Sequence, residues 1–201
     1  MILIQGCKDY PIYGTYTKVR HDISSPSELI EFSSCDIYIS AIHTKNFFQR
    51  KVLDTISLQI EKDDLVSAMD SGINGRKLNN VTLTLNSKIF TDSKEIKEFF
   101  TEHEVSGNRV IAILTYRYSF EQIREGGGGI GFAYDTDYID HFTDKSVYVA
   151  VYQNSQLVFL DNAYKLERQR VNDNQEFKHE FSYEELDSLL SLALVNIHSK
   201  D

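Results

Sequence analysis

Asp135, Asp137, Asp140 and His141 fall within seven positions, directly after an apolar run, Ile130 to Tyr134. Two carboxylates one residue apart at a strand end can share a hard divalent cation, because Mg²⁺ and Mn²⁺ take oxygen ligands. A cation held there would polarise a phosphoryl oxygen or activate a water. Asp135, Asp137 and Asp140 are therefore the candidate metal ligands, and Asp135, Asp137 and His141 the candidate catalytic groups. Just ahead of them stand Gly126, Gly127, Gly128 and Gly129, and five of the chain's ten glycines lie within positions 126–131. Backbone freedom concentrated in this way suits a flap over a binding site. It equally suits a flexible connector or a place where backbones approach closely. The aspartates have a plain reading as well, since Asp caps helices.

The tetraglycine is not a phosphate loop of the familiar kind. That loop needs a strand before it, a helix after it and a Gly-Lys-Ser/Thr, and none of these is in place. The Asp135-Thr136-Asp137 pair resembles the carboxylate pair of metal-dependent nucleotidyltransferases in pattern, without the Gly-Ser that normally precedes it. Asp161 with Glu176-Phe177-Lys178 is similar in spacing to the nuclease core built on Asp and Glu-x-Lys. Asn172 to Gln175 is polar where that core has an apolar strand. The six histidines show no i, i+4 ligand spacing, and Cys7 and Cys35 form no Cys-x-x-Cys. They are expected to be reduced thiols of a cytoplasmic protein. The apolar opening, Ile2 to Ile4, is too short for a signal peptide or a span.

The net charge of −9 is unevenly distributed: residues 121–201 carry 15 acidic and 7 basic side chains, against 15 and 14 in residues 1–120. An acidic field of this kind repels nucleic-acid backbones and anionic membrane surfaces. It suits a protein partner with a basic surface, or a divalent cation.

The elements that would position these groups follow from periodicity and caps. Strands are expected at Ile2–Gln5, Ile12–Val19, Asp36–Ile42, Ile56–Ile60, Val81–Leu85 with a hairpin partner at Lys88–Phe90, and Ile130–Tyr134. Val110–Thr115 is almost uniformly apolar, as a central strand covered on both faces would be. Ser146–Gln153 and Gln156–Asp161 form a hairpin through Asn154-Ser155, again with both faces covered. Lys165–Val171 and Phe177–Phe181 are further strand candidates. Helices are expected from Pro26 to Ser33, over Lys45–Thr55, from Asp63 or Asp64 to Asp70, after Asp92-x-x-Glu95, at Ser119-x-x-Gln122, over Thr136–Phe142, and after Ser182-x-x-Glu185. Together these predict a single α+β domain over residues 1–201, with a mixed or mainly antiparallel sheet and about five helices packed on it.

Two functions fit. The first is an acidic cytoplasmic protein that acts by binding a protein partner, as an inhibitor, immunity factor or adaptor, through its acidic C-terminal portion. The alternative is a metal-dependent enzyme acting on a nucleotide or phosphoester at Asp135 and Asp137, with Mg²⁺ or Mn²⁺ as cofactor.

Overall fold

The computed structural model describes residues 13–20, 34–45, 51–72, 82–125, 136–172 and 177–194. One seven-stranded sheet dominates them. Its strands are β1 (Tyr16–Arg20), β2 (Ser34–Thr44), β3 (Val52–Thr55), β4 (Thr82–Ser87), β5 (Arg109–Glu125), β6 (Thr136–Gln153) and β7 (Gln156–Asn172). Three helices accompany them, α1 (Lys62–Gly72), α2 (Ser93–Glu102) and α3 (Tyr183–Leu194). The expectation of α+β with about five helices is thereby corrected: strands outweigh helices, and only three helices occur among the described residues.

The correction has a physical cause. Ser119-x-x-Gln122 and Thr136–Phe142, both read as short helices, are strand. They continue β5 and β6, with Ser119 opposite Phe142 and Gln122 opposite Ile139. Tyr116, Tyr118 and Phe120 alternate into the first stretch and Thr136, Tyr138 and Ile139 favour extension in the second, and the cross-strand pairing they make outweighs a local capping signal. Val52–Thr55 is likewise strand, antiparallel to β2, although the spacing of Phe48, Val52 and Leu53 matches a helix. Lys88–Phe90 is not a hairpin partner of β4, which instead runs parallel to β2 with Ser34 opposite Thr82 and Ile37 opposite Leu85. Phe177–Phe181 is extended and joins the remainder by one bridge, Gln59 with Glu180. The strand expected at Ile2–Gln5, the helix from Pro26 and the strand at Ile130–Tyr134 lie outside the described residues.

The sheet order is β1-β7-β6-β5-β2-β3, and β4 also pairs with β2. The pairs are antiparallel except where β2 meets β4 and β5. Period-2 alternation makes two cores, one on each face. On the first face Ile37, Val110, Ala112, Val147 and Val149 pack beneath α1 and α3, which contribute Leu65, Met69, Leu186, Leu189 and Leu190. On the second face Ile111, Ile113, Tyr148 and Ala150 pack against Ile96 and Phe100 of α2 and against Phe90. Each large apolar side chain buried in this way stabilises the fold by about 1.5–3 kcal/mol.

Local signals set the ends of these elements. The Asp92 carboxylate accepts from the Lys94 and Glu95 amides, at 2.9 and 3.0 Å, and Glu95 returns a bond to the Thr91 amide at 2.7 Å. Ser182 and Glu185 close the reciprocal box on α3. Asn154 and Ser155 both take positive φ, 51° and 68°, as the tight two-residue hairpin turn requires.

Candidate functional site

The β6–β7 ladder directs a block of polar side chains onto the first face, below the apolar core. Lys145 stands opposite Lys165, Thr143 opposite Glu167, and His141 opposite Gln169. Two lysines directly opposite one another repel. Glu167 and Glu185 resolve this: the Lys145 ammonium lies 2.6 Å from Glu185 and 3.2 Å from Glu167, while Lys165 lies 2.6 Å from Glu167 and 3.1 Å from Glu185. Burial disfavours the Lys165 charge, but hydrogen bonds to Glu167 and Glu185 hold its pKa above the ordinary lysine value. Glu167 is held below its usual range by the same two lysines, against the opposing effect of burial. Glu185 therefore has two tasks, since it caps α3 through the Ser182 amide and binds the helix to the sheet.

Beside this network lies an aromatic and histidine cluster centred on Tyr118. The Tyr118 hydroxyl is 2.7 Å from His141 Nδ1, and the Tyr116 hydroxyl is 3.2 Å from His179 Nδ1. Phe177 stacks on the His141 ring at 4.2 Å between centroids, with 3° between planes. His141 is 6 % exposed, and its Nε2 is buried with no hydrogen-bond partner. Burial lowers the pKa of both His141 and His179, and their charges oppose one another further: His179 acts on His141, and His43 on His179. Both imidazoles are therefore neutral near pH 7. Tyr116, His141 and Phe177 of this cluster, with Lys145, Lys165, Glu167 and Glu185 of the network, line a cleft of about 490 Å³ between the sheet, the 177–182 segment and the start of α3.

The residues singled out in the sequence separate. A helix over 136–142 would have set Asp137 and His141, four apart, on one face, whereas strand β6 alternates its side chains and sends the neighbours Asp140 and His141 to opposite faces. His141 enters the first-face cleft. Asp140 is on the other face, fully buried, and is gripped by Arg168 and by Arg170, whose Nε is 2.8 Å away. The Arg170 hydrogen bond, joined by Arg168, holds the Asp140 carboxyl below its ordinary range despite burial. A carboxylate already saturated by two guanidinium groups is a poor cation ligand. Asp137 is a backbone partner of Arg124 in the β5–β6 ladder. Asp135 and Gly126 to Gly129 lie outside the described residues. Among the described residues no group of three or more His, Cys, Asp or Glu side chains could hold a metal ion.

Asp161 forms a 2.8 Å ion pair with Lys18 rather than a nuclease-type site, Glu176 lies outside the described residues, and Lys178 stands exposed at the cleft mouth. Cys35 is a buried free thiol pushed up to about 12 by burial and the Asp36 charge, hence inert. In the sequence Glu185 is legible only as a cap, and Lys145, Lys165 and Glu167 stand in no local motif. The signal that was there is the i, i+2 spacing of Lys165, Glu167 and Gln169 on one strand.

A second feature lies at the edge beyond β2. Thr82-Leu83-Thr84-Leu85-Asn86-Ser87 pairs with β2 on one side, and its other side is unpaired among the described residues. Thr84 is exposed, and Leu85, Ile89 and Leu53 are 45 %, 39 % and 51 % exposed. These three follow one another along the outer side of β2: Leu85 is opposite Ile37, the Lys88 amide reaches the Ile39 carbonyl, and Val52 is opposite Thr44. No described helix is long and apolar enough to cross a membrane.

No protein-family model and no curated protein matches the chain. Among solved structures it is similar to the PelC dodecamer from Paraburkholderia phytofirmans, at 9% identity and a TM-score of 0.34 over 93% of this chain and 100% of that one. It is also similar to a putative neuraminyllactose-binding hemagglutinin homolog from Helicobacter pylori, at 7% identity and a TM-score of 0.24 over 89% and 90%. Likenesses at this level carry no functional argument.

Proposed function

We propose that the protein acts by binding a protein partner of basic character, which it takes as an added strand along β4. The observation that supports this reading is the edge itself: six residues without a charge, a proline or a bulge, bordered by exposed leucine and isoleucine. Natural sheets guard their edges with lysines, bulges or covering segments, and an edge left open is a template for another chain. In such binding the main-chain hydrogen bonds supply affinity, and alternate side-chain positions supply specificity. The net charge of −9 favours a basic segment and speeds its approach. The contact moves accordingly from the acidic C-terminal portion to β4. Asp140, Asp161, Glu167 and Glu185 of that portion are engaged in ion pairs within the chain.

Selection from a random-peptide display library against the wild type tests the reading. Enriched peptides should alternate β-branched and polar residues, carry Lys or Arg at their flanks, and lose about tenfold or more in affinity to Thr84→Lys and to Leu85→Lys. Peptides that bind both variants as well as wild type would overturn it.

A further inference from the structure

The first-face cleft is the other feature of the molecule that invites a ligand, and it is independent of β4. Three observations describe what it would accept. First, its lining among the described residues carries both signs of charge within a strongly acidic chain: Lys145, Lys165 and Lys178 face Glu167, Glu180, Glu184 and Glu185, while the Arg168 guanidinium is turned to Asp140 on the other face. A ligand with one sign of charge meets groups of its own sign there, whereas a ligand carrying both signs finds a partner for each.

Second, the cleft holds an unsatisfied buried donor. If His141 Nδ1–H donated to Tyr118, the phenolic proton and the Nε2 lone pair would both lack partners. If the Tyr118 hydroxyl donates to Nδ1, only Nε2–H is left over. The second arrangement leaves fewer buried groups unmade, so Nε2–H is the group left without an acceptor. Phe177 covers the face of the imidazole and leaves its edge, where Nε2 lies, free of the stack. Third, Tyr16, Tyr116 and Phe177 give the cleft aromatic walls, and about 490 Å³ is within the range of small-molecule sites.

We infer that this cleft binds a small zwitterion, a free amino acid or close relative with one carboxylate and one protonated amine. Lys165 and His141 Nε2–H are the donors for the carboxylate, together with the Thr143 hydroxyl, which in the free protein donates a long hydrogen bond of 3.5 Å to Glu167 and turns from it to the ligand. Glu167 and Glu180 are the acceptors for the ammonium. Glu167 is the member of the ion-pair network suited to exchange partners, since its side chain is 33 % exposed while those of Lys145 and Glu185 are 8 % and 11 % exposed.

Calorimetric titration with a panel of free amino acids tests this, each compared with the amine that lacks its carboxylate and the acid that lacks its amine. At least one amino acid should bind, and both truncated analogues should bind about tenfold more weakly or worse, because each leaves polar groups of the site unpaired. Thr143→Val keeps the shape of the side chain and should weaken the zwitterion several-fold with an unchanged melt. Glu167→Gln should weaken the zwitterion and strengthen the amine-free acid, an inversion that a purely structural clamp of α3 would not produce. No heat from any amino acid at millimolar concentration, equal binding of the truncated analogues, or full affinity in Thr143→Val would each overturn the assignment.

Discussion

Strand β1 closes one edge of the sheet with five residues that include Lys18 and Arg20, and Lys18 reaches both the Asp161 carboxylate, at 2.8 Å, and the Ala193 carbonyl, at 3.5 Å. Strand β4 leaves the opposite side of the sheet with six uncharged residues and a half-exposed Leu85. An inward-pointing charge is one of the devices that guard an edge strand, and β1 has one in Lys18, whose side chain is only 17 % exposed, whereas β4 has none. The same lysine neutralises a buried carboxylate and touches the last helix, so the guarded edge is also an anchored one. Among the described residues, one sheet thus carries both a guarded and an unguarded edge, which supports reading β4 as a docking strand.

Substitutions can break or sharpen this contrast, and the largest effect is expected midway between the edges. Val149 is wholly buried in the first-face core, so Val149→Asp should cost about 4–5 kcal/mol and leave little folded protein at ambient temperature. A thermal melt reads it directly, and a melt near wild type would mean that the face is open. At the guarded edge, Lys18→Met removes a cation from Asp161, which is 2 % exposed, and should cost about 2–3 kcal/mol by urea unfolding.

Acid should loosen one side of the sheet before the other. Burial, with the nearby histidine charges, lowers the pKa of His141 and His179, while Asp140 opposes this at His141. The unfolded chain thus takes up protons from about pH 6.5 downward, where the folded chain still resists them. Stability contributed by the neutral imidazoles is present above that pH and is lost as pH falls through their unfolded value, by roughly 1.4 kcal/mol for each unit of lowering. Amide exchange should accelerate first around His141 in β6 and β7, with β4 unchanged. Equal stability at about pH 7.5 and about pH 5.5 would contradict this. The smallest effect on stability belongs to the open edge: Thr84→Lys should shift the urea midpoint by no more than about 0.5 kcal/mol equivalent, because nothing described packs on that exposed side chain.

What could be read from the sequence was local. The Asn154-Ser155 hairpin, the almost uniformly apolar Val110–Thr115 run and the caps at Asp92 and Ser182 each carry their signal within a few residues, and each appears as expected. Residues 116–125 and 136–145 carry an equally local cap signal that misleads, because their true partners are each other, joined across the intervening stretch. The pairing of β4 with β2 joins Ser34 to Thr82, and no short-range pattern announces a parallel neighbour so far away. The site divides in the same way. His141 was visible as a titratable residue, but its surroundings come from β5, β7 and the segment before α3, so neither its orphan nitrogen nor the Lys–Glu network could be inferred from spacing. Asp140 had the residue type of a metal ligand and lost that role to Arg168 and Arg170, which approach from the neighbouring strand.

The most direct test of the account is backbone hydrogen exchange on the wild-type chain, free and saturated with a peptide selected from the display library. Strand addition predicts new protection at amides of Thr82–Ser87, with no matching change in β1 and none in the Thr84→Lys variant. Protection confined to α3 and the cleft, with β4 exchanging as it does in the free protein, would contradict it.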